Sequence, residues 1–168
     1  MAIVASASAG LRAARRATIL QLRAPGLSAR QLEINANELV AASPVPVLIS
    51  SRCDIALAAG AAGVNLPERD ITVADARALL GQRIIGRSVH SLQAATQAEQ
   101  DGADFVIFGP VWISESHSES VPAGTRALTE VAHTLRIPVL AIGGVTEDRI
   151  AECHAAGAAG FAAIRLFQ

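Results

Sequence analysis

Short apolar runs with no polar alternation punctuate the chain, and between them lie longer stretches whose apolar residues return every three or four positions. The runs are strand-like in length and bounded by turn residues, and they predict strands over 2–5, 18–22, 45–50, 63–66, 84–89, 105–109, 139–143 and 161–164. The intervening stretches predict helices near 8–16, 28–42, 52–59, 72–80, 91–101, 125–135 and 146–156. Helix endings closed by glycine and followed at once by a strand recur at Gly60, Gly102 and Gly157, in "GAAGVNL", "GADFVIF" and "GAAGFAAI". A second echo pairs "VPVLIS" with "IPVLAIG", each with proline at the head of an apolar strand.

Continuous apolar strands between amphipathic helices belong to parallel sheets covered by helices. Eight such units predict a compact (β/α)8 TIM barrel, one domain over 1–168, with functional groups at the C-terminal ends of the strands. Barrels of this kind usually need about 250 residues. The expectation is therefore a trimmed version, with a shortened first unit and a missing or minimal last helix. An open, doubly wound sheet is the alternative topology.

Composition narrows the function. Of 168 residues, 51% are hydrophobic and 17% charged, which excludes a disordered chain. The net charge of −1 offers no basic stripe for a phosphate backbone, so no nucleic-acid partner is expected. Every apolar stretch is broken before the roughly 18 residues of a membrane span. No signal peptide is evident, and a cytoplasmic location without membrane attachment is expected. Alanine-rich outer helices leave a homodimer open. Cys53 and Cys153 lack metal-site or redox spacing and are expected to be buried thiols. All 14 basic residues are arginine, which removes Schiff-base chemistry by a lysine and any P-loop.

Polar residues gather where the strands are expected to end: Gln21, Arg23, Ser50, Ser51, Asn65, Ser88, His90, Gly109, Gly143, Gly144 and Arg165. Their clustering on one rim indicates a small polar ligand in the barrel mouth. In "AIGGVTEDR", Gly143 and Gly144 would let backbone N–H groups approach a phosphate; the plainer reading is a tight turn with Thr146 as helix cap. The planar fork of Arg23 suits a carboxylate or phosphate. His90, at the end of "IIGRSVHS", is either a core histidine or an acid/base that titrates near neutrality. His133 and His154 fall on outer helices, and His117 falls in a polar loop over 115–122 where a lid is expected. No metal site is expected: magnesium generally wants more than one carboxylate or phosphate oxygen, Ser50 and Ser51 supply no second acid for Asp70 in "LPERD", and Asp54 reads as a helix-start residue.

With these residues assembled, the chain resembles the thiamin phosphate synthase/TenI superfamily along nearly its whole length. The resemblance is carried by "TILQLR", "LISSRCDIALAAGAAGVNLPERD", "IIGRSVHSLQAATQAEQDGADFVIFGPV" and "IPVLAIGGVTEDRIAECHAAGAAGF". It implies the barrel and a thiazole phosphate ligand. The synthase reading is supported by "GPV" and Asp70 and would bring Mg²⁺. That pattern also has Asn-Asp after strand three, a lysine two residues past the Arg23 position and a lysine in the strand-six loop, where this chain has Ser50-Ser51, Pro25 and "SESHSES". The segments at 52–57, 64–67 and "GRSVHS" look closer to TenI-type thiazole tautomerases, whose proton-transfer histidine falls on His90. That resemblance implies a cofactor-free isomerase acting on a carboxythiazole phosphate. Its departures are Pro110, where that family can carry histidine, and Arg165-Leu166 in place of a Ser-Gly end. A catalytically silent, ligand-binding regulator is the third reading.

Overall fold

The computed structural model describes residues 1–113 and 121–168. Eight strands alternate with seven α-helices: β1 (Ala2–Val4), α1 (Ala7–Ala13), β2 (Leu20–Leu22), α2 (Ala29–Ala42), β3 (Val47–Ser50), α3 (Cys53–Ala58), β4 (Gly63–Leu66), α4 (Val73–Leu80), β5 (Ile84–Val89), α5 (Leu92–Gln100), β6 (Phe105–Phe108), α6 (Gly124–Thr134), β7 (Val139–Ile142), α7 (Ile150–Ala155) and β8 (Gly160–Ala162). Neighbouring strands pair in parallel from β1 through to β8. The ring is drawn shut by a bridge between Ala2 and Ala163. At this seam Ile3 N–H donates to Ala163 O at 2.9 Å, and Ala163 N–H donates to Met1 O at 3.1 Å. The chain is thus a (β/α)8 barrel, and the open sheet is overturned by that seam. The first helix has only seven residues, and a 3₁₀ turn over Arg165–Phe167 stands in place of a last helix.

The strands lack polar alternation because both of their faces are buried. Leu20, Leu22, Val47, Ile49, Val64, Leu66, Ile85, Val106 and Phe108 face the helices. The intervening positions fill the barrel lumen with Met1, Ile3, Leu48, Phe105, Ile107 and Ala162. Side-chain caps open the main helices: Ser28 and Gln31 form a reciprocal capping box on α2, and Thr72 and Ser91 accept from Asp75 N–H and Ala94 N–H. Gly60, Gly102 and Gly157 take the expected positive φ at helix ends. The seventh helix differs from expectation. Its first turn is 3₁₀ (Glu147–Arg149), the α-helix begins only at Ile150, and Thr146 makes no side-chain cap. Strand eight starts one residue earlier than read, at Gly160.

Gly86 pairs with Phe105 across β5 and β6, and a Cβ on Gly86 would lie 2.1 Å from Phe105 Cζ. The phenyl ring therefore occupies the space that a side chain at 86 would need. Gly86→Ala is expected to cost about 1–3 kcal/mol through overpacking. Adding Phe105→Leu to that variant should return part of the loss, a coupling to be read from urea unfolding of both single variants and the double variant.

Candidate active site

Closure brings the C-terminal ends of all eight strands to one mouth. Just below it lies a polar layer. Gln21 on β2 and Asn65 on β4 are each only 2% exposed, and they are the buried polar residues among the described residues. Asn65 Nδ2 donates to Ser88 Oγ at 3.0 Å, which links β4 to β5. Gln21 Oε1 and Asn65 Oδ1 have no hydrogen-bond partner. An unsatisfied buried acceptor costs about 1–3 kcal/mol, so two such oxygens in an apolar lumen mark a place for donors from a ligand or water.

His90 follows β5 immediately. Its Nδ1 meets Glu68 Oε2 in a hydrogen-bond contact. The imidazole is more than half exposed, so it is a rim residue, and the core-histidine reading is set aside. Glu68 was not singled out from the sequence. The signal was available in the register: Leu66 pairs with Arg87, so Glu68, two residues past Leu66, and His90, three residues past Arg87, leave neighbouring strands onto the same rim. The loop that carries Glu68 is itself held. Arg87 donates to Glu68 O and Ile71 O, both at 2.7 Å. Burial pushes the Arg87 guanidinium below its ordinary value, although arginine stays charged at neutral pH.

The glycine turn after β7 has a one-sided hydrogen-bond pattern. Ile142 O accepts from Val111 N–H at 2.8 Å, Gly143 O accepts from Trp112 N–H at 3.1 Å, and Gly144 O accepts from Arg149 Nη1 at 2.7 Å. No described residue accepts from the N–H of Gly143, Gly144 or Val145. Both glycines have positive φ, 91° and 65°. A Cβ on Gly143 would lie 2.5 Å from Pro110 Cβ, and one on Gly144 would lie 2.5 Å from Ile113 O. Both are therefore required to be glycine by conformation and by space. Three successive amides without a described acceptor make the kind of concavity that suits an anion. The helix that follows contributes little, because its first turn is 3₁₀ and its α-helical part spans six residues.

The other candidates fall around this mouth with different engagements. Arg23, one residue past β2, is exposed, and its main-chain N–H donates to Val4 O. Gly109 lies beneath β7, where a Cβ would come 2.2 Å from Ile142 O. Arg165 lies in the terminal 3₁₀ turn past β8. Ser51 adopts φ 66°, a left-handed backbone that costs a non-glycine residue on the order of 1–2 kcal/mol and that no sequence signal announced. Asp54 ion-pairs with Arg52, which holds its carboxyl below the usual range. Asp70 Oδ1 accepts from Ile71 N–H. Among the described residues no group of three or more His, Cys, Asp or Glu side chains could hold a metal ion. His133 and His154 are exposed on outer helices, as read. The lid expected around His117, with the loop from Glu115 to Ser120, lies outside the described residues. No helix among the described residues is long and apolar enough to cross a membrane.

The family model described as thiamine monophosphate synthase matches residues 2–167. The chain belongs to that family. Membership makes it an enzyme of thiamine biosynthesis. A thiamine-phosphate synthase from Chloroflexus aurantiacus is 35% identical over 152 residues, covering 88% of this chain and 70% of that protein. The Methanoculleus marisnigri thiamine-phosphate synthase is 37% identical over 161 residues, covering 93% and 76%. Among solved structures, a thiamine phosphate pyrophosphorylase from Pyrococcus furiosus superposes with a TM-score of 0.88 at 27% identity, over 97% of this chain and 84% of that one. FabK from Thermotoga maritima, at 16% identity and a TM-score of 0.80, shares the fold alone. These names point to the synthase branch of the family rather than to the tautomerase branch that "GRSVHS" had suggested.

Two outcomes test the site. Gly144→Ala places a methyl against Ile113 O at a left-handed position, so retention of inorganic phosphate should fall on the order of tenfold, measured by ³¹P line broadening. Cys53 and Cys153 are buried, and burial pushes both thiols up, with the Asp70 charge adding at Cys53 and that of Glu152 at Cys153. Neither should react with iodoacetamide at neutral pH in the native protein. Both should react once it is unfolded in urea, as read by mass spectrometry.

Proposed function

We propose that the mouth binds a thiazole phosphate with its phosphate on the Gly143–Gly144 turn, and that the chain joins this ligand to a pyrimidine diphosphate. In that reaction the thiazole ring nitrogen forms a bond to the pyrimidine's exocyclic methylene carbon. The carbon–oxygen bond to the diphosphate breaks, and pyrophosphate leaves with the electron pair. The observation that carries this reading is the seat of Pro110, the middle residue of "GPV". It packs directly on Gly143, so the residue that resembles the synthase pattern shapes the phosphate cradle itself. The named relatives support it as well. In this chain Arg23 supplies positive charge at the mouth, and Gln21 Oε1 and Asn65 Oδ1 offer acceptors to a ligand amino group.

Tautomerisation of a carboxythiazole phosphate is the second reading, and it too has a specific observation behind it. Glu68 on Nδ1 of His90 leaves Nε2 available to take and return a proton. Ser50 and Ser51 stand where the synthase pattern has an Asn-Asp pair. This reaction needs an acid/base, a phosphate grip and a positive clamp, and it involves no departing diphosphate.

The purified chain, incubated with the pyrimidine diphosphate and the thiazole phosphate, is expected to release pyrophosphate and form thiamin phosphate. Failure there, together with conversion of the carboxythiazole tautomer that drops on the order of a hundredfold in His90→Ala, would replace the first reading by the second. Binding of the thiazole phosphate with turnover of neither substrate would leave a ligand-binding regulator.

A further inference from the structure

We infer that Arg149, backed by the ring of Trp112, is a positioning residue for the phosphate cradle: it orients the last peptide plane of the Gly143–Gly144 turn so that Val145 N–H faces the anion. The inference extends the phosphate placement proposed above and depends on it.

A trans peptide is planar, with its C=O and the following N–H on opposite edges. Fixing a carbonyl therefore fixes the direction of the next amide. In this turn three consecutive carbonyls are held from the β6 side or from Arg149, by Val111 N–H on Ile142 O, Trp112 N–H on Gly143 O and Arg149 Nη1 on Gly144 O. The N–H groups of Gly143, Gly144 and Val145 are accordingly turned to the other edge of their planes. The first two planes are held by main-chain bonds to the segment after β6. The third is held by a side chain alone. That side chain is itself seated, since the Arg149 guanidinium carbon lies 5.1 Å from the centroid of the Trp112 ring. Such a cation–π contact fixes the guanidinium plane while its Nη1 reaches the carbonyl. Trp112 also contributes its N–H to Gly143 O, so one residue braces two of the three planes.

Glycine makes this brace necessary. Gly143 and Gly144 both have positive φ, and a residue without a side chain has no steric preference of its own to hold the turn. Without Arg149 the Gly144–Val145 plane is free to rotate, and one of three amides is lost from the cradle. A hydrogen bond to a charged group is worth about 1.5–3 kcal/mol, which corresponds to tenfold or more in affinity.

The test compares wild type, Arg149→Gln and Arg149→Lys, using the methyl-hydroxyethyl-thiazole phosphate and its unphosphorylated alcohol as probes in calorimetry. Trp112 is the single tryptophan of the chain, so its emission reports on the same place. Wild type is expected to bind the phosphate ester more tightly than the alcohol and to change its Trp112 emission on binding. Arg149→Gln should lose about tenfold for the ester and nothing for the alcohol, and its emission response should vanish. Arg149→Lys keeps the charge and a donor, and should lie between the two. If the glutamine variant does not fold, the lysine variant carries the test with a loss of about threefold or more for the ester alone. Equal affinity of wild type for ester and alcohol would overturn the phosphate placement and this inference with it. A wild type that prefers the ester, with variants that bind it equally well, would overturn the role of Arg149 and leave the cradle standing.

Discussion

One narrow seam makes the mouth a single place. Seven strand-to-strand junctions are extended ladders, but the eighth is the bridge between Ala2 and Ala163 with a few bonds around it. Parallel strands in an open sheet spread their C-terminal ends along a line. Closing the sheet bends that line into a ring. Gln21 on β2 and the glycine turn after β7 then face a common space, although many residues separate them in the chain. The polar layer, the His90–Glu68 pair and the glycine turn share one mouth only because that seam holds.

Within the ring, polar and apolar side chains share the lumen. Met1, Ile3, Leu48, Phe105 and Ile107 pack together there. Gln21, Asn65 and Ser88 face inward beside them from β2, β4 and β5, with Gln21 paired to Ile3 and Leu48 and Ser88 to Ile107. Two acceptor oxygens left without donors in this layer work against stability. A barrel selected for stability alone would carry aliphatic residues there. The rim above is organised by main-chain carbonyls: Arg87 gathers those of the loop that carries Glu68, and Trp112 and Arg149 gather those of the glycine turn. In both places arginine serves as an organiser of backbone. In a chain with no lysine, its planar fork can engage two carbonyls at once.

The family's two chemistries make opposite demands on such a mouth. Joining two substrates with loss of a diphosphate requires positive charge where negative charge develops. Shifting a proton within one ring requires a base held in the right tautomer. Here the Pro110–Gly143 contact and the relatives' names belong with the first demand, while the Glu68–His90 pair and the serines after β3 suit the second. Both demands share a phosphate grip, and the Gly143–Gly144 turn is the proposed place for it.

Periodicity and glycine punctuation determined the barrel. Eight apolar runs between amphipathic helices, with Gly60, Gly102 and Gly157 closing helices, leave few other ways to bury so much strand on both faces. The rim residues Gln21, Asn65, Ser88, His90, Gly143 and Gly144 were legible for the same reason, since a strand end is a local property and the fold turns strand ends into a site. Contacts that depend on register and on side-chain reach were decided by the tertiary structure. Glu68 meets His90 because of the β4–β5 pairing. Arg149 meets Trp112 because the segment after β6 crosses the turn after β7. Ser51 takes its left-handed backbone where its N–H donates to Asn65 O on the neighbouring strand. None of these has a signature in composition or spacing, because each depends on which strands become neighbours and at what stagger, and closure of the ring sets both.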